Sequence, residues 1–296
     1  MTLTRAFFFA IIAVVLFWLY FPFVIMGILS FQGPRGGPTF PLHGTSTIWY
    51  WKLFHPGVVT RYSDVGEFLG NYLAALGRSV VLALIVMVIV TVLALLAAQA
   101  FRTKFRASGL IFYLWLLGIV VPGITISLGL ALVFRQLGIP EAWYSTTLAV
   151  HVMYLLPISL IIFLMFFNRF DRQLEDAALV LGANELRTWW YVTIPILKPA
   201  ILTSMIFAFT LSLDEYQRSD LITGVQQTLP LMIVGAVTTR ITPELYALGT
   251  LTTLGSLIVV ALYLIFMVRS TRRLSVVVPE PQDAPASSEV DVAQAR

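Results

Sequence analysis

The chain has 296 residues, 58% of them apolar, 13% aromatic and only 11% charged, with 19 Lys and Arg against 15 Asp and Glu. Soluble domains carry about 25% charged residues, so this composition excludes an ordinary soluble globular enzyme. The absence of cysteine excludes disulfide scaffolds, iron–sulfur clusters, thiolate zinc sites and cysteine nucleophiles. A net charge of +4 would suit nucleic acid, but the basic residues lie beside apolar spans and describe membrane topology instead, so no nucleic-acid partner is expected.

Six apolar stretches are long enough to span a bilayer or nearly so. The first, Ala6 to Leu29, exceeds the roughly 7–15 residues of a signal-peptide core and reads as an uncleaved spanning helix kinked at Pro22. An outer loop, 31–71, follows it. Gly36, Gly37, Pro34, Pro38 and Pro41 forbid a continuous helix there, and Trp49, Tyr50 and Trp51 suit a headgroup layer, which predicts an interfacial cap. The remaining spans are predicted at Tyr72–Phe101, Gly109–Phe134, Thr146–Phe167, Ala200–Leu213 with a polar continuation, and Leu245–Val268. Residues 1–30 therefore form the first transmembrane helix, and 72–270 a five-helix core interrupted by a cytoplasmic loop at 168–199. The Pro-, Ala- and Ser-rich segment 279–296 lacks aromatics and reads as a disordered tail.

Basic residues set the orientation. With the N-terminus inside, twelve lie on inner segments (Arg5; Arg102, Lys104 and Arg106; Arg169, Arg172, Arg187 and Lys198; Arg269, Arg272, Arg273 and Arg296). Seven lie on outer ones: Arg35, Lys52, Arg61, Arg78, Arg135, Arg218 and Arg240. The excess predicts both termini in the cytoplasm.

The inner loop carries the most information. Leu174, Ala177, Ala178 and Leu181 recur at helical spacing, Gly182 suits a left-handed helix end, and Asn184 can cap a second helix bearing Leu186, Trp189, Trp190 and Ile194. Pro195 and Pro199 then end that element and open the fifth span. A helix that lies on lipid headgroups presents a Lys- and Arg-rich face. This one mixes Asp171, Glu175, Asp176 and Glu185 with Arg169, Arg172 and Arg187, which suits a protein partner better.

These residues resemble a known family. The run Asp176-Ala177-Ala178-x-x-Leu181-Gly182-Ala183, followed by Val192-x-Ile194-Pro195, resembles the EAA coupling loop of ATP-binding-cassette importer permeases, with Asp176 where the family usually has Glu and Glu175 just before it. The resemblance implies an all-α integral membrane fold of the type I importer (MetI-like) class in a bacterial inner membrane. It implies that Glu175, Asp176, Ala177, Ala178, Leu181, Gly182, Ala183 and Pro195 couple to an ATPase dimer. It also implies a second permease subunit, an extracytoplasmic solute-binding protein, and ATP and Mg bound by the ATPase rather than by this chain. Phe209-Thr210-Leu211-Ser212-Leu213-Asp214-Glu215, Thr228-Leu229-Pro230-Leu231-Met232-Ile233 and Thr242-Pro243-Glu244-Leu245-Tyr246-Ala247-Leu248 look like pieces of the second permease of spermidine/putrescine importers. Permeases for aminophosphonates, opines or ferric ion share some of them.

The chain has no G-x-x-x-x-G-K-[ST] phosphate loop, which agrees with a mechanical subunit. A membrane enzyme would need H-E-x-x-H, G-x-S-x-G or a carboxylate dyad, and only the adjacent Asp214 and Glu215 approach one. An ion-coupled carrier stays open as a third class. Asp214 lies 14 residues past Ala200, roughly 21 Å along a helix and so in the outer third of a 30 Å core. Asp214 and Glu215 can meet a polyammonium ligand there, with Tyr216 beside them. Equally, they can sit solvated at the helix mouth or pair with Arg218 or Arg240. Thr242 is positioned to cap the last span, with Pro243 in its first turn and Glu244 at its positive end. His151 reads as a neutral hydrogen-bonded packing residue, and Pro122-Gly123 and Pro157 as points of backbone loosening or packing kinks.

Overall fold

A computed structural model describes residues 3–55, 72–103, 105–239 and 241–275. The tail 279–296, the outer-loop portion 56–71, and Arg61, Lys104, Arg240 and Arg296 lie outside the described residues. Among those described, every regular element is helical: α1 Leu3–Leu29, α2 Ile48–Phe54, α3 Tyr72–Phe101, α4 Ser108–Val120, α5 Gly123–Gln136, α6 Leu148–Phe167, α7 Gln173–Val180, α8 Glu185–Thr188, α9 Ile194–Ile196, α10 Lys198–Leu213, α11 Leu229–Thr239 and α12 Pro243–Ser275. Two π-helical turns, Trp143–Thr147 and Trp189–Thr193, lead into α6 and α9. The chain divides into units Met1–Ser256 and Leu257–Arg296. In the second, Leu257, Ile258, Leu262, Leu264, Ile265 and Phe266 of α12 are exposed and apolar, as suits a lipid-facing helix.

Among the described residues, four helices are long and apolar enough to cross a bilayer, or six if each of two bent pairs is one span. The third predicted span is not one rod: α4 and α5 meet at 106° across Val121-Pro122. Pro122 has no N–H to continue the ladder, and extended backbone at Val121 and Pro122 replaces it. The loop helices and α10 likewise meet at 67°, with the break at Leu197 and Pro199 in the first turn of α10. Pro22, by contrast, sits inside a continuous α1.

The centre of the first unit is α3, α6 and α10, each packed on the other two. On α10 the residues buried at every fourth position are Ala200, Ser204, Ala208 and Ser212. Small side chains there let the helix lie close to α3, where Ser204 Oγ meets Thr91 Oγ1 at 3.3 Å. In a bilayer, where apolar burial gives helices little reason to associate, close contact and such hydrogen bonds supply the attraction.

The outer loop packs inward at one aromatic. Trp49 is buried with Leu53 in a cluster with Tyr72, Leu229, Leu245 and Leu248, and its indole N–H donates to the Gln32 carbonyl at 2.6 Å. Lys52, counted among the outer cations, lies over the Trp49 ring at 4.5 Å and 3.4 Å from Glu244. The ion pair is buried on both sides, which draws α2 onto the start of α12. Trp51, in contrast, is exposed and stacked on His55. Thr242 is buried with its hydroxyl unpartnered among the described residues, so Glu244 and Pro243, not a Thr242 cap, mark the start of α12.

Candidate functional site: the inner lever and the mid-span cluster

The inner loop folds as its sequence predicts. Helix α7 ends at Val180 with Leu181 as its C-cap, and Gly182 takes φ +89°, a conformation that side chains rarely adopt. Asn184 Oδ1 then accepts from the Arg187 N–H at 2.8 Å, capping the helical run from α8 through the π turn to α9.

Among the described residues, nothing buries the apolar side chains of α7. Leu174, Leu179, Val180 and Leu181 are exposed, the last two at 87%. Asp176 and Ala177 are exposed too, Ala178, Ala183 and Pro195 are half-buried, and Gly182 is exposed. Apolar side chains at this exposure on a folded, capped element mark an interaction surface.

Glu175 behaves differently from its neighbour. Both its carboxylate oxygens accept from Arg102 at the end of α3, at 2.9 and 2.6 Å, and Thr193 Oγ1 donates to it at 2.6 Å. Burial pushes the Glu175 carboxyl up, but the hydrogen bonds from Arg102 and Thr193 and the charges of Arg102 and Arg172 outweigh it and hold the group below its ordinary value. The Arg102 guanidinium also lies 4.8 and 5.0 Å from the Phe167 and Phe170 ring centres, and its carbonyl accepts from Arg172 at 2.7 Å. One arginine therefore joins the ends of α3 and α6 to both arms of the loop. Arg102 entered the sequence reading only as a topology marker, since a contact across 73 positions leaves no local pattern.

The second cluster lies deeper. Helix α10 stops at Leu213, beside His151, and irregular chain follows it. His151, fully buried, bridges Ser212 and Ser219 with both ring nitrogens at 2.8 Å, so the hydrogen-bonded packing role expected for it stands. Thr146 Oγ1 donates to the Ile222 carbonyl, Thr147 Oγ1 to Thr223 Oγ1 at 3.0 Å, and Ser127 Oγ to the Arg218 carbonyl at 2.6 Å. Irregular backbone at membrane depth survives only where protein or water satisfies its polar groups, and these hydroxyls do so.

Asp214 is exposed at the helix end, and Tyr216 is half-buried. Glu215 is not solvated. Its Oε2 accepts from Arg218 Nη1 at 2.8 Å and its Oε1 from the Arg218 backbone N–H at 3.0 Å, with both side chains largely buried. The Arg218 guanidinium stacks 3.6 Å from the Tyr154 ring centre, and a Cβ on Gly123, at the α4–α5 break, would lie 2.9 Å from Arg218 Cγ. The site thus gathers residues from α5, α6 and the segment after α10. Among the described residues, no group of three His, Cys, Asp or Glu side chains is placed to hold a metal ion.

Comparison with known proteins agrees with this architecture. Over 266 residues the chain is 31% identical to the spermidine/putrescine transport system permease protein PotC of Haemophilus influenzae, covering 88% of this chain and 94% of that one. It is 28% identical over 245 residues to PotC of Escherichia coli strain K12 (82% and 87% covered), and 27% identical over 242 to the putrescine transport system permease protein PotI of that strain (79% and 81%). Its fold resembles a chain from the crystal structure of a bacterial ABC transporter involved in the import of the acidic polysaccharide alginate, with a TM-score of 0.58, 17% identity, and 90% and 97% of the two chains covered. Residues 90–276 match the family described as binding-protein-dependent transport system inner membrane component, and the chain belongs to that family, a multi-pass protein of the inner membrane.

Proposed function

We propose that this chain is a permease subunit of a polyamine importer that turns ATP hydrolysis on a separate ATPase dimer into alternating access. The observation that carries the coupling role is an ordered helix–turn–helix, 173–196, with exposed apolar residues on α7 and an ionic anchor to α3 behind it. A lever must be stiff where it joins the transmembrane helices and open where a partner grips it. To swing the two access states from 1:99 to 99:1, ATP binding must supply about 5.5 kcal/mol of state preference through it.

In this reading Asp176, Ala177, Ala178, Leu181, Gly182, Ala183 and Pro195 form the gripped surface, and Glu175 holds the lever from behind. Asp214, Glu215 and Tyr216 belong to the cargo pathway. The partners are an ATPase dimer carrying ATP and Mg, a second permease of different sequence and an extracytoplasmic binding protein; both termini face the cytoplasm. Polyamine cargo is supported by the spermidine and putrescine systems named among the relatives and by carboxylates near the end of α10.

The test is ATPase stimulation of the purified complex with its binding protein across a panel of solutes. Stimulation by putrescine or spermidine is expected. Silence to both, with a response to an aminophosphonate or ferric ion, would keep the permease role and replace the cargo.

A further inference from the structure

Arg218 stands where a cationic ligand would be held. A carboxylate to pair with an ammonium group and an aromatic face to receive it are the two elements that recognise alkylammonium ions. Glu215 and Tyr154 supply both, and the Arg218 guanidinium occupies the place between them, 2.8 Å from one and 3.6 Å from the other ring centre.

The location is informative. Tyr154 lies in the 25-residue apolar helix Trp143–Phe167, about 17 Å from its start at 1.5 Å per residue, so its ring stands well inside a stretch long enough to cross a bilayer. Buried charges in an apolar span are costly: besides closing the turn by accepting the Arg218 backbone N–H, the Glu215 carboxylate is neutralised, among the described residues, by the Arg218 side chain. The pair also abuts the break between α4 and α5, and broken helices at the midplane are a place where membrane carriers bind solutes. Arg218 itself is imperfectly held: its Nε is buried without a hydrogen-bond partner among the described residues. A guanidinium with one donor unsatisfied is easier to displace than one fully bonded.

We propose that Glu215 and Tyr154 form a mid-span cation site that Arg218 fills in the absence of cargo, and that an ammonium group of a di- or polyamine takes over by displacing it. The proposal rests on the polyamine reading above. It adds Tyr154 as a binding residue and Arg218 as an internal competitor. Competition makes a prediction that a purely structural ion pair does not, because the two partners then have opposite effects on cargo. Removing the carboxylate weakens binding, whereas removing the competitor strengthens it.

The experiment is uptake of radiolabelled putrescine by the full complex in proteoliposomes, with its binding protein saturating, for Glu215→Gln, Arg218→Gln, Arg218→Lys and Tyr154→Leu. Glu215→Gln is expected to raise the KM for putrescine on the cytoplasm-directed step by about tenfold or more, and Tyr154→Leu by roughly three- to tenfold. Arg218→Gln is expected to lower it roughly three- to tenfold. If Arg218→Gln fails to assemble, Arg218→Lys keeps the charge with a smaller, less planar contact and is expected to lower KM in the same direction. Glu215 and Arg218 variants that change uptake in the same direction, or alter only the maximal rate, overturn the proposal while leaving the permease reading intact. Wild-type complex that ignores putrescine and spermidine but responds to another solute overturns the polyamine reading instead.

Discussion

The inner lever and the mid-span cluster solve opposite problems. On α7 apolar side chains are left in the open, and Glu175 ties the helix back through a bidentate arginine. Around His151 polar side chains are sealed away, and nearly every one has a partner in the same chain. Unsatisfied apolar surface invites a neighbour, whereas satisfied polar groups close a region to outsiders. Within the cluster, Arg218 is the member left with an unpartnered nitrogen, which is why the cargo proposal centres on it.

The sharpest way to break the contrast is to destroy the lever's turn. Gly182→Pro places a fixed negative φ where the chain needs +89°, so uptake is expected to fall to background while membrane insertion, followed by protease protection, stays normal. Normal uptake would remove the lever from the mechanism.

Loosening the anchor should come next. Arg102→Ala leaves Glu175 partly buried without its cation, at a cost of about 2 kcal/mol or more, and is expected to reduce substrate-stimulated ATPase activity at least severalfold. The double change Arg102→Glu with Glu175→Arg should recover part of it. Because Glu175 titrates below its ordinary value near 4.5 in the folded protein, the stability it contributes is fully present above pH 4.5. That contribution is lost as pH falls through the lower, folded value. The protection of the α7 amides, corrected for the intrinsic pH dependence of exchange, is therefore expected to fall only below pH 4.5. A fall in that corrected protection between pH 6 and 8 would contradict the anchor.

Opening the sealed region is expected to act on stability rather than coupling. His151→Leu strands the Ser212 and Ser219 hydroxyls and should cost about 1–3 kcal/mol, read as a lowered Tm of the detergent-purified complex. The ATP stimulation ratio of the surviving protein should hold. The smallest effect belongs to Asn184→Ala, which removes one helix cap and costs about 1 kcal/mol, visible as faster exchange in α8 alone.

The lever was legible in the sequence because everything that shapes it is local. The spacing of Leu174, Ala177, Ala178 and Leu181, the glycine at the turn and the asparagine cap all lie within a dozen residues, and the structure keeps each of them. The effect of three prolines was less legible. Pro122 breaks its span by 106°, while Pro22 and Pro157 sit inside continuous helices, and nothing next to those prolines separates the cases. What separates them is tertiary: at Pro122 the Arg218 side chain fills the space beside Gly123.

By itself, then, the sequence determined the membrane class, the apolar stretches from which the candidate spans are built, and the inner helix–turn–helix. Hydrophobic runs, caps and glycines act over one or two turns of chain, so their outcome can be read in place. Only the tertiary structure decided which charges are neutralised and which stay open. Glu175 finds Arg102 across 73 positions and Lys52 finds Glu244 across nearly two hundred, whereas Glu215 turns to its neighbour Arg218 under the ring of a tyrosine from another helix. Electrostatic partners are set by distance in space, and distance in space is what the order of residues alone does not contain.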